Sequence, residues 1–350
     1  MYFYEPTEEP GMTERVGMTG TDESAAATAA VRAGDELGFN TLAKEHRGEL
    51  LVHCYRMLGS LHDAEDAVQE TLTRAWQYRE SFKGGASLRA WLYRIATNTS
   101  LDVIARDRRR AEVAGVANGG STRDPKALAE VTWLQPIPDT LLGPDALVLT
   151  KENIELAFLT LIQLLTPQQR AALLLRDVLG WSAKETAELL EVSVAAVNSA
   201  LQRARATLRE HIPARTAQWS AGVDATVAER ELLRKYIEAT EAPDLSAFTS
   251  IIRDDAVFRM PPDPRIVVGR DAMIRFWADG GFGSEDFGRI RCVVTHANRQ
   301  PAVASYLLAK GDSMYRPMTL DVLHIEEGVI TEIITFAPDV FHAFGLPQVL

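Results

Sequence analysis

The residues best suited to chemistry fall into charged and polar groups with distinct spacing. Between Ser81 and Arg110 the chain places seven basic residues (Lys83, Arg89, Arg94, Arg106, Arg108, Arg109 and Arg110) against two acids, Asp102 and Asp107. Phe82, Trp91 and Tyr93 stand among them. Cations that track phosphates, interleaved with aromatic rings that hold unstacked bases, suit single-stranded or melting DNA. The same composition also describes a solvated basic helix end. Just upstream lies an acidic amphipathic stretch, Asp63-Ala64-Glu65-Asp66-Ala67-Val68-Gln69-Glu70-Thr71, followed by Arg74-Ala75-Trp76. Taken alone, such a stretch is an ordinary surface helix. A third group spans Ser193 to Arg205, where Ala195, Ala196, Asn198, Ser199, Gln202, Arg203 and Arg205 occupy the exposed positions of a helical pattern. Asn and Gln can read adenine bidentately, and Arg can read guanine or neutralise phosphate.

The elements that must position these groups are legible from periodicity. Leu50, Leu51, Cys54, Tyr55 and Leu58 give one apolar helical face that ends at Gly59-Ser60. Asp63 is expected to cap the next helix, with Glu65 and Asp66 in its first turn. After Ser81-Phe82-Lys83-Gly84-Gly85 a third helix carries Leu88, Trp91, Leu92, Ile95 and Ala96 inward and runs out into the arginines. Residues 111–150 lose periodicity and form a linker, except for Trp133-Leu134-Gln135-Pro136-Ile137-Pro138, whose tryptophan is odd in a simple spacer. Helices return from Lys151. Thr166-Pro167-Gln168-Gln169 and Ser182-Ala183-Lys184-Glu185 read as capping boxes. Ser193 caps the helix carrying Val194, Val197 and Leu201, so the pair joined by Glu191-Val192-Ser193 forms a helix-turn-helix. From about Val227 two helices are expected, the second through Leu245, Phe248, Ile251 and Ile252, then a third over Asp271–Ala278. Strands Ile290–Ala297, Ala302–Ala309, Met318–Ile325 and Val329–Phe336 follow, the last two joined at Glu326-Glu327-Gly328. Helices followed by antiparallel strands indicate a separate α+β domain. Residues 1–34, rich in Glu, Thr, Gly and Ala, read as a flexible leader in which Met12 or Met18 could be the true start.

The acidic stretch, followed in order by Leu88-Arg89-Ala90-Trp91-Leu92-Tyr93-Arg94-Ile95-Ala96, closely resembles region 2 of the extracytoplasmic-function (ECF) sigma factors. The segment from Leu164-Leu165-Thr166-Pro167 to Arg203-Ala204-Arg205 resembles their region 4. The resemblance implies a factor that binds core RNA polymerase, at the β′ coiled coil and the β flap, and directs initiation at promoter DNA. Carried over, Asp63, Glu65, Asp66, Gln69, Glu70 and Arg74 face polymerase. Phe82, Lys83, Ser87, Arg89, Asn98, Arg106, Arg108, Arg109 and Arg110 face the −10 element, whose DNA is melted. Ser193, Ala195, Ala196, Asn198, Ser199, Gln202, Arg203 and Arg205 face the −35 element in the major groove. Two departures from the family stand out. Asn198 and Ala200 replace common basic residues, which lowers phosphate affinity. Glu191 replaces the common turn glycine, at about 1 kcal/mol if its backbone is left-handed.

Residues 228–345 resemble the SnoaL-like branch of the cone-shaped folds, on Phe258-Arg259-Met260-Pro261-Pro262, Val268-Gly269-Arg270-Asp271 and the closing strands. The fold implied is therefore multi-domain: two all-α sigma domains (35–112 and 151–213, the second with the helix-turn-helix), linkers at 113–150 and 214–227, and a C-terminal α+β SnoaL-like domain. That last domain is expected to regulate the factor in cis. The alternatives are an enzyme or small-ligand sensor tethered to a DNA-binding module, and a repressor that needs no polymerase. Some SnoaL relatives are cyclases, which makes Asp255, His296, Asp321 and His324 the acid/base candidates. The net charge of −11 does not exclude DNA, because charges beyond about 8–10 Å are screened and local clustering decides. Two distant cysteines in apolar segments, Cys54 and Cys292, are expected to be reduced and buried, with no zinc spacing, metal or cofactor. No apolar run approaches the roughly 18 residues of a membrane span, and no basic-apolar signal opens the chain. A cytoplasmic location is expected.

Overall fold

The structure is a computed structural model that describes residues 29, 34–82, 87–113, 134–142, 156–211, 227–284 and 286–350. Most of the leader, Lys83, Trp133, most of the first linker and nearly all of the second linker lie outside the described residues.

The first unit packs α1 (Glu36–Leu58), α2 (Leu61–Gln77) and α3 (Leu88–Val113) against one another. Asp35 starts α1 by accepting from the Leu37 and Gly38 amides at 3.1 Å, and Gly59, at φ 77°, ends it in the left-handed region that glycine enters without strain. Ser60, not Asp63, caps α2; its Oγ accepts from the Asp63 amide at 3.2 Å. Asp63 therefore sits in the first turn, where its charge still complements the helix dipole. The second unit comprises α4 (Leu156–Gln163), α5 (Pro167–Leu173), α6 (Ala183–Leu190) and α7 (Val194–His211). Both expected capping boxes form, Thr166 with Gln169 and Ser182 with Glu185. α5 runs on through a π turn at Leu174–Val178.

The third unit opens with α8 (Val227–Glu241), followed by β1 (Ile252–Met260), β2 (Asp263–Val268), α9 (Arg270–Asp279), β3 (Arg289–Ala297), β4 (Gln300–Leu308), β5 (Arg316–Glu326) and β6 (Val329–Phe336). The strands form one sheet in the order β2-β1-β6-β5-β4-β3, antiparallel except where β1 meets β6. The expected second helix is only a 3₁₀ turn, Ala247–Ser250, and Ile252 opens a strand instead. Alternating burial at Ala256 and Phe258 follows, after an exposed Asp254-Asp255 pair that hid the period of two.

The sheet's two faces enter different cores. Val303, Leu323 and Ile333 join Leu232 and Tyr236 of α8, Phe248, and Met273 of α9. On the other face Ala302, Ala304, Tyr306, Leu320, Val322 and Ile334 merge with Leu50, Tyr55, Leu61, Ile137 and Leu159 into one continuous cluster. The appended unit is thus docked through a full sheet face on the helical units, rather than tethered beside them.

Candidate nucleic-acid and polymerase interface

α2 buries Leu61, Ala64, Ala67, Val68, Thr71 and Ala75. This leaves Glu65, Asp66, Gln69 and Glu70 exposed on the opposite side, with Asp63 half-buried at its start. Arg74 closes that acidic face toward α3, donating to Glu70 at 2.7 Å and Asp102 at 2.9 Å.

On α3, Ser87 caps the helix by accepting from the Ala90 amide at 3.1 Å, and Arg106, Arg108 and Arg109 project from the last turns. Only the backbone of Arg110 is described. Asn98 is half-buried. Phe82 departs from expectation. Its ring is 2% exposed and stacks on Trp91 at a 5.1 Å centroid separation. It is a core residue that anchors the start of α3, because an apolar ring gains more by leaving water than by waiting in it. Arg89 is exposed, yet Glu49 holds it at 2.6 Å and it lies over the Tyr93 ring.

On α7, Ser193 Oγ accepts from the Ala196 amide at 3.1 Å. Val197, Leu201 and Ala204 face inward, while Ala195, Ala196, Asn198, Gln202, Arg203 and Arg205 are exposed and Ser199 is half-exposed. Arg203 donates to Ser199 at 2.6 Å. Arg205 makes a two-point pair with Asp177, Nε to Oδ2 at 2.9 Å and Nη2 to Oδ1 at 2.6 Å. Glu191 is left-handed, at φ 56° and ψ 40°. Its carboxylate accepts from Arg94 of α3 at 2.9 Å, a contact that partly offsets the strain.

Sequence reasoning missed the groups that close these units on one another. The last carbonyls of α1 have no partner within their own helix. Arg56 O accepts from Gln163 at 3.2 Å, and Met57 O accepts from Arg170. The same Arg170 guanidinium donates to the carbonyls of Ile162, Gln163 and Leu165. Burial draws its pKa down to about 10, which leaves it charged at neutral pH. Residues 134–142 form a strap across this corner. Gln135 donates its amide to Gly59 O at 3.0 Å, and its side-chain oxygen accepts from the Leu61 amide at 3.0 Å. It thereby supplies an acceptor to the first turn of α2.

The β3–β4 turn grips the other edge of the strap. Asn298, fully buried and left-handed at φ 55°, accepts from the Ile137 amide at 2.9 Å and returns its own amide to Ile137 O at 2.9 Å. Its Nδ2 donates to Tyr55 Oη at 2.9 Å, and Tyr55 donates on to Gln135 O at 2.6 Å. Arg299 gives its amide to Asp139 at 2.7 Å, and Gln300 accepts from the Leu156 amide at 3.2 Å. One tight turn therefore touches the first unit, the strap and the second unit. The signal available in sequence was Asn298-Arg299 between two strands, a hairpin-turn pair whose polar side chain is otherwise unremarkable.

The acid/base candidates do not assemble into a dyad. Asp255 is exposed beside Arg253, and His296 is exposed on the edge strand β3. His324 bonds Gln300 and Glu326, both at 3.2 Å. Asp321 is buried inside the cone, where it accepts from Tyr236 at 3.1 Å and Thr335 at 2.6 Å. Burial pushes its carboxyl up to about 6. Cys54 is buried, Cys292 is half-buried, and both are free thiols. Among the described residues no cluster of His, Cys, Asp and Glu could hold a metal, and no helix is long and apolar enough to cross a membrane.

Two helical units, one bearing an acidic face and a basic helix end and the other a helix-turn-helix, are the parts of a sigma factor, here with a cone-shaped domain docked on them. Family models agree: sigma-70 region 2 matches residues 42–110, sigma-70 region 4 matches 155–208, and a SnoaL-like domain matches 233–333. The ECF RNA polymerase sigma factor SigG of Mycobacterium tuberculosis is 41% identical over 327 residues, covering 91% of this chain and 86% of SigG. SigJ of the same organism is 30% identical over 240 residues, covering 66% of this chain and 69% of SigJ. The crystal structure of M. tuberculosis SigJ superposes with a TM-score of 0.54 at 23% identity, over 86% of this chain and 97% of that one, and so shares the fold. The chain belongs to the ECF RNA polymerase sigma factors.

Proposed function

We propose that the chain joins core RNA polymerase through the acidic face of α2, opens the −10 element with the basic end of α3, and reads the −35 element with the exposed face of α7. Phosphodiester chemistry is left to the polymerase. The SnoaL-like domain acts in cis, holding the two sigma domains and the strap in the closed arrangement described above. The carrying observation is that the docking and recognition faces stay exposed while the strap and the α1–α2 corner are locked by the β3–β4 turn. A linker that runs toward the RNA exit path during initiation has to leave that grip. The gain from polymerase and promoter contacts must therefore exceed the cost of opening.

Run-off transcription with core polymerase tests this, using the full chain and a form ending near residue 215. Folded protein that supports initiation in neither form refutes the sigma assignment of these residues. Initiation that is identical in both forms refutes the cis role of the appended domain.

A further inference from the structure

On the docked face of the sheet, β4 and β5 run antiparallel with Ala302 against Val322, which brings Gln300 beside His324. The buried Gln300 amide spans the interface with the second sigma unit. Its Oε1 accepts from the buried Leu156 amide of α4 at 3.2 Å, and its Nε2 lies 3.2 Å from His324 Nδ1. His324 Nε2 in turn lies 3.2 Å from Glu326 Oε1. A backbone N–H can only donate, so Leu156 fixes the carbonyl end of Gln300 toward α4 and its NH₂ end toward the ring. Nδ1 must then accept. The single ring hydrogen of neutral His324 therefore sits on Nε2 and points at the Glu326 carboxylate. All three bonds run one way, from α4 through Gln300 and the imidazole to Glu326.

We infer that this relay makes docking of the appended domain acid-sensitive, because the docked arrangement accepts only an uncharged His324. Imidazole is the side chain that ordinarily gains its second proton between pH 5 and 8. A proton on Nδ1 sets that donor against the Gln300 NH₂ group. Turning the Gln300 amide over gives the ring an acceptor, but sets NH₂ against the Leu156 amide. Either way, one buried donor at the interface loses its acceptor. The surroundings supply counter-charge for a protonated ring: Glu326 on its own strand and Glu332 directly opposite on β6. Each carboxylate also holds an arginine of β1, Glu326 with Arg253 at 2.7 Å and Glu332 with Arg259 at 2.6 Å, and Asp255 shares Arg253. From the sigma side, α4 carries no titratable side chain, and Asp321 faces away into the cone. The undocked arrangement binds the extra proton, so docking is retained above the imidazole range and weakens as pH falls through it. Under the cis role proposed above, on which this consequence rests, acid raises the open fraction of the factor.

The test follows amide hydrogen exchange at the start of α4 in the full chain without polymerase, so its outcome is independent of the run-off result. Exchange is compared at pH 8 and pH 5 after correction for the intrinsic rate. Protection of the Leu156 amide is expected to fall about tenfold at the lower pH, as befits the loss of one buried hydrogen bond. His324→Gln keeps an acceptor for Gln300 and a donor for Glu326 but gains no proton, and is expected to hold the protection at both pH values. Gln300→Glu offers acceptors to both Leu156 and a charged ring, and is expected to reverse the sign, with greater protection at pH 5. Circular dichroism checks that this variant folds, and should it not, His324→Gln decides alone. Four results each overturn the assignment: parent protection that is equal at both pH values, a His324→Gln chain as acid-sensitive as the parent, a folded Gln300→Glu chain that still loses protection in acid, or a loss spread evenly over β4–β6.

Discussion

Replacing Asn298 with glycine tests the grip of the β3–β4 turn on the strap most directly. Glycine keeps the left-handed backbone at φ 55° without strain, so only the side chain is lost. The side-chain bonds from the Ile137 amide and to Tyr55 Oη go with it. Tyr55 keeps its donation to Gln135 O, whereas the Ile137 N–H is left buried with no acceptor. An orphaned buried donor costs about 1–3 kcal/mol. Spent on the closed state alone, that amount shifts the closed-to-open ratio about 5–150-fold. Hydrogen exchange should show faster exchange at the Gln135 and Ile137 amides by a factor in this range. Amides of β4–β6, which lie inside the sheet, should exchange as before. Run-off yield with core polymerase is expected to rise in parallel. Unchanged strap protection, or faster exchange spread evenly over the sheet, would show that Asn298 merely supports the hairpin and that the grip has been misread.

Asp177→Asn should release Arg205 from its two-point pair, tightening non-specific DNA binding and steepening the log K against log salt plot by about one; an unchanged slope means Arg205 never reaches phosphate. Asp321→Asn should change how stability depends on pH. The Asp321 carboxyl titrates at about 6 in the fold against 3.8 ordinarily, so the unfolded chain ionises first, and the stability tied to this group is lost as pH rises through about 6. The Tm advantage of the variant over the parent chain should therefore grow between pH 4 and pH 8, by the equivalent of about 3 kcal/mol at most, and parallel Tm curves would contradict it. Both thiols are pushed to about 12 by burial, so maleimide at pH 8 should label neither in the native chain and both in urea. Rapid native labelling of Cys54 would mean that α1 opens.

The helical units were the most legible part of the sequence, because caps and apolar spacing are local. Thr166-Pro167 with Gln169, and Ser182 with Glu185, state where helices begin. The four C-terminal strands were legible for the same reason. β1 was not, since Asp254 and Asp255 interrupt its alternation and its parallel partner β6 lies about 75 residues away. In the recognition surfaces, residue type and helix phase placed the exposed acids of α2 and the polar face of α7. They could not tell Phe82 in the core from Phe82 toward DNA, because an aromatic beside a basic run suits either. The groups that matter for closure, Arg170, Gln135 and Asn298, act through backbone carbonyls and amides of distant segments, and such pairing leaves no trace in local pattern.

The contacts that close this molecule differ sharply in worth. The ion pair between the two sigma units is exposed: Arg94 and Glu191 have side chains 46% and 72% accessible, and such pairs contribute about 0–1 kcal/mol and fade with salt. The buried polar contacts behave differently. Arg170 sits among backbone carbonyls of both sigma domains, and Asn298 between Tyr55 and the strap, where losing one partner leaves a desolvated group exposed to no water. On the function proposed above, closure rests on buried hydrogen-bond geometry at the α1–α2 corner, while promoter choice rests on the charged and amide side chains of α3 and α7. On that reading a turn variant in the appended domain changes how often the factor opens without changing which DNA it reads.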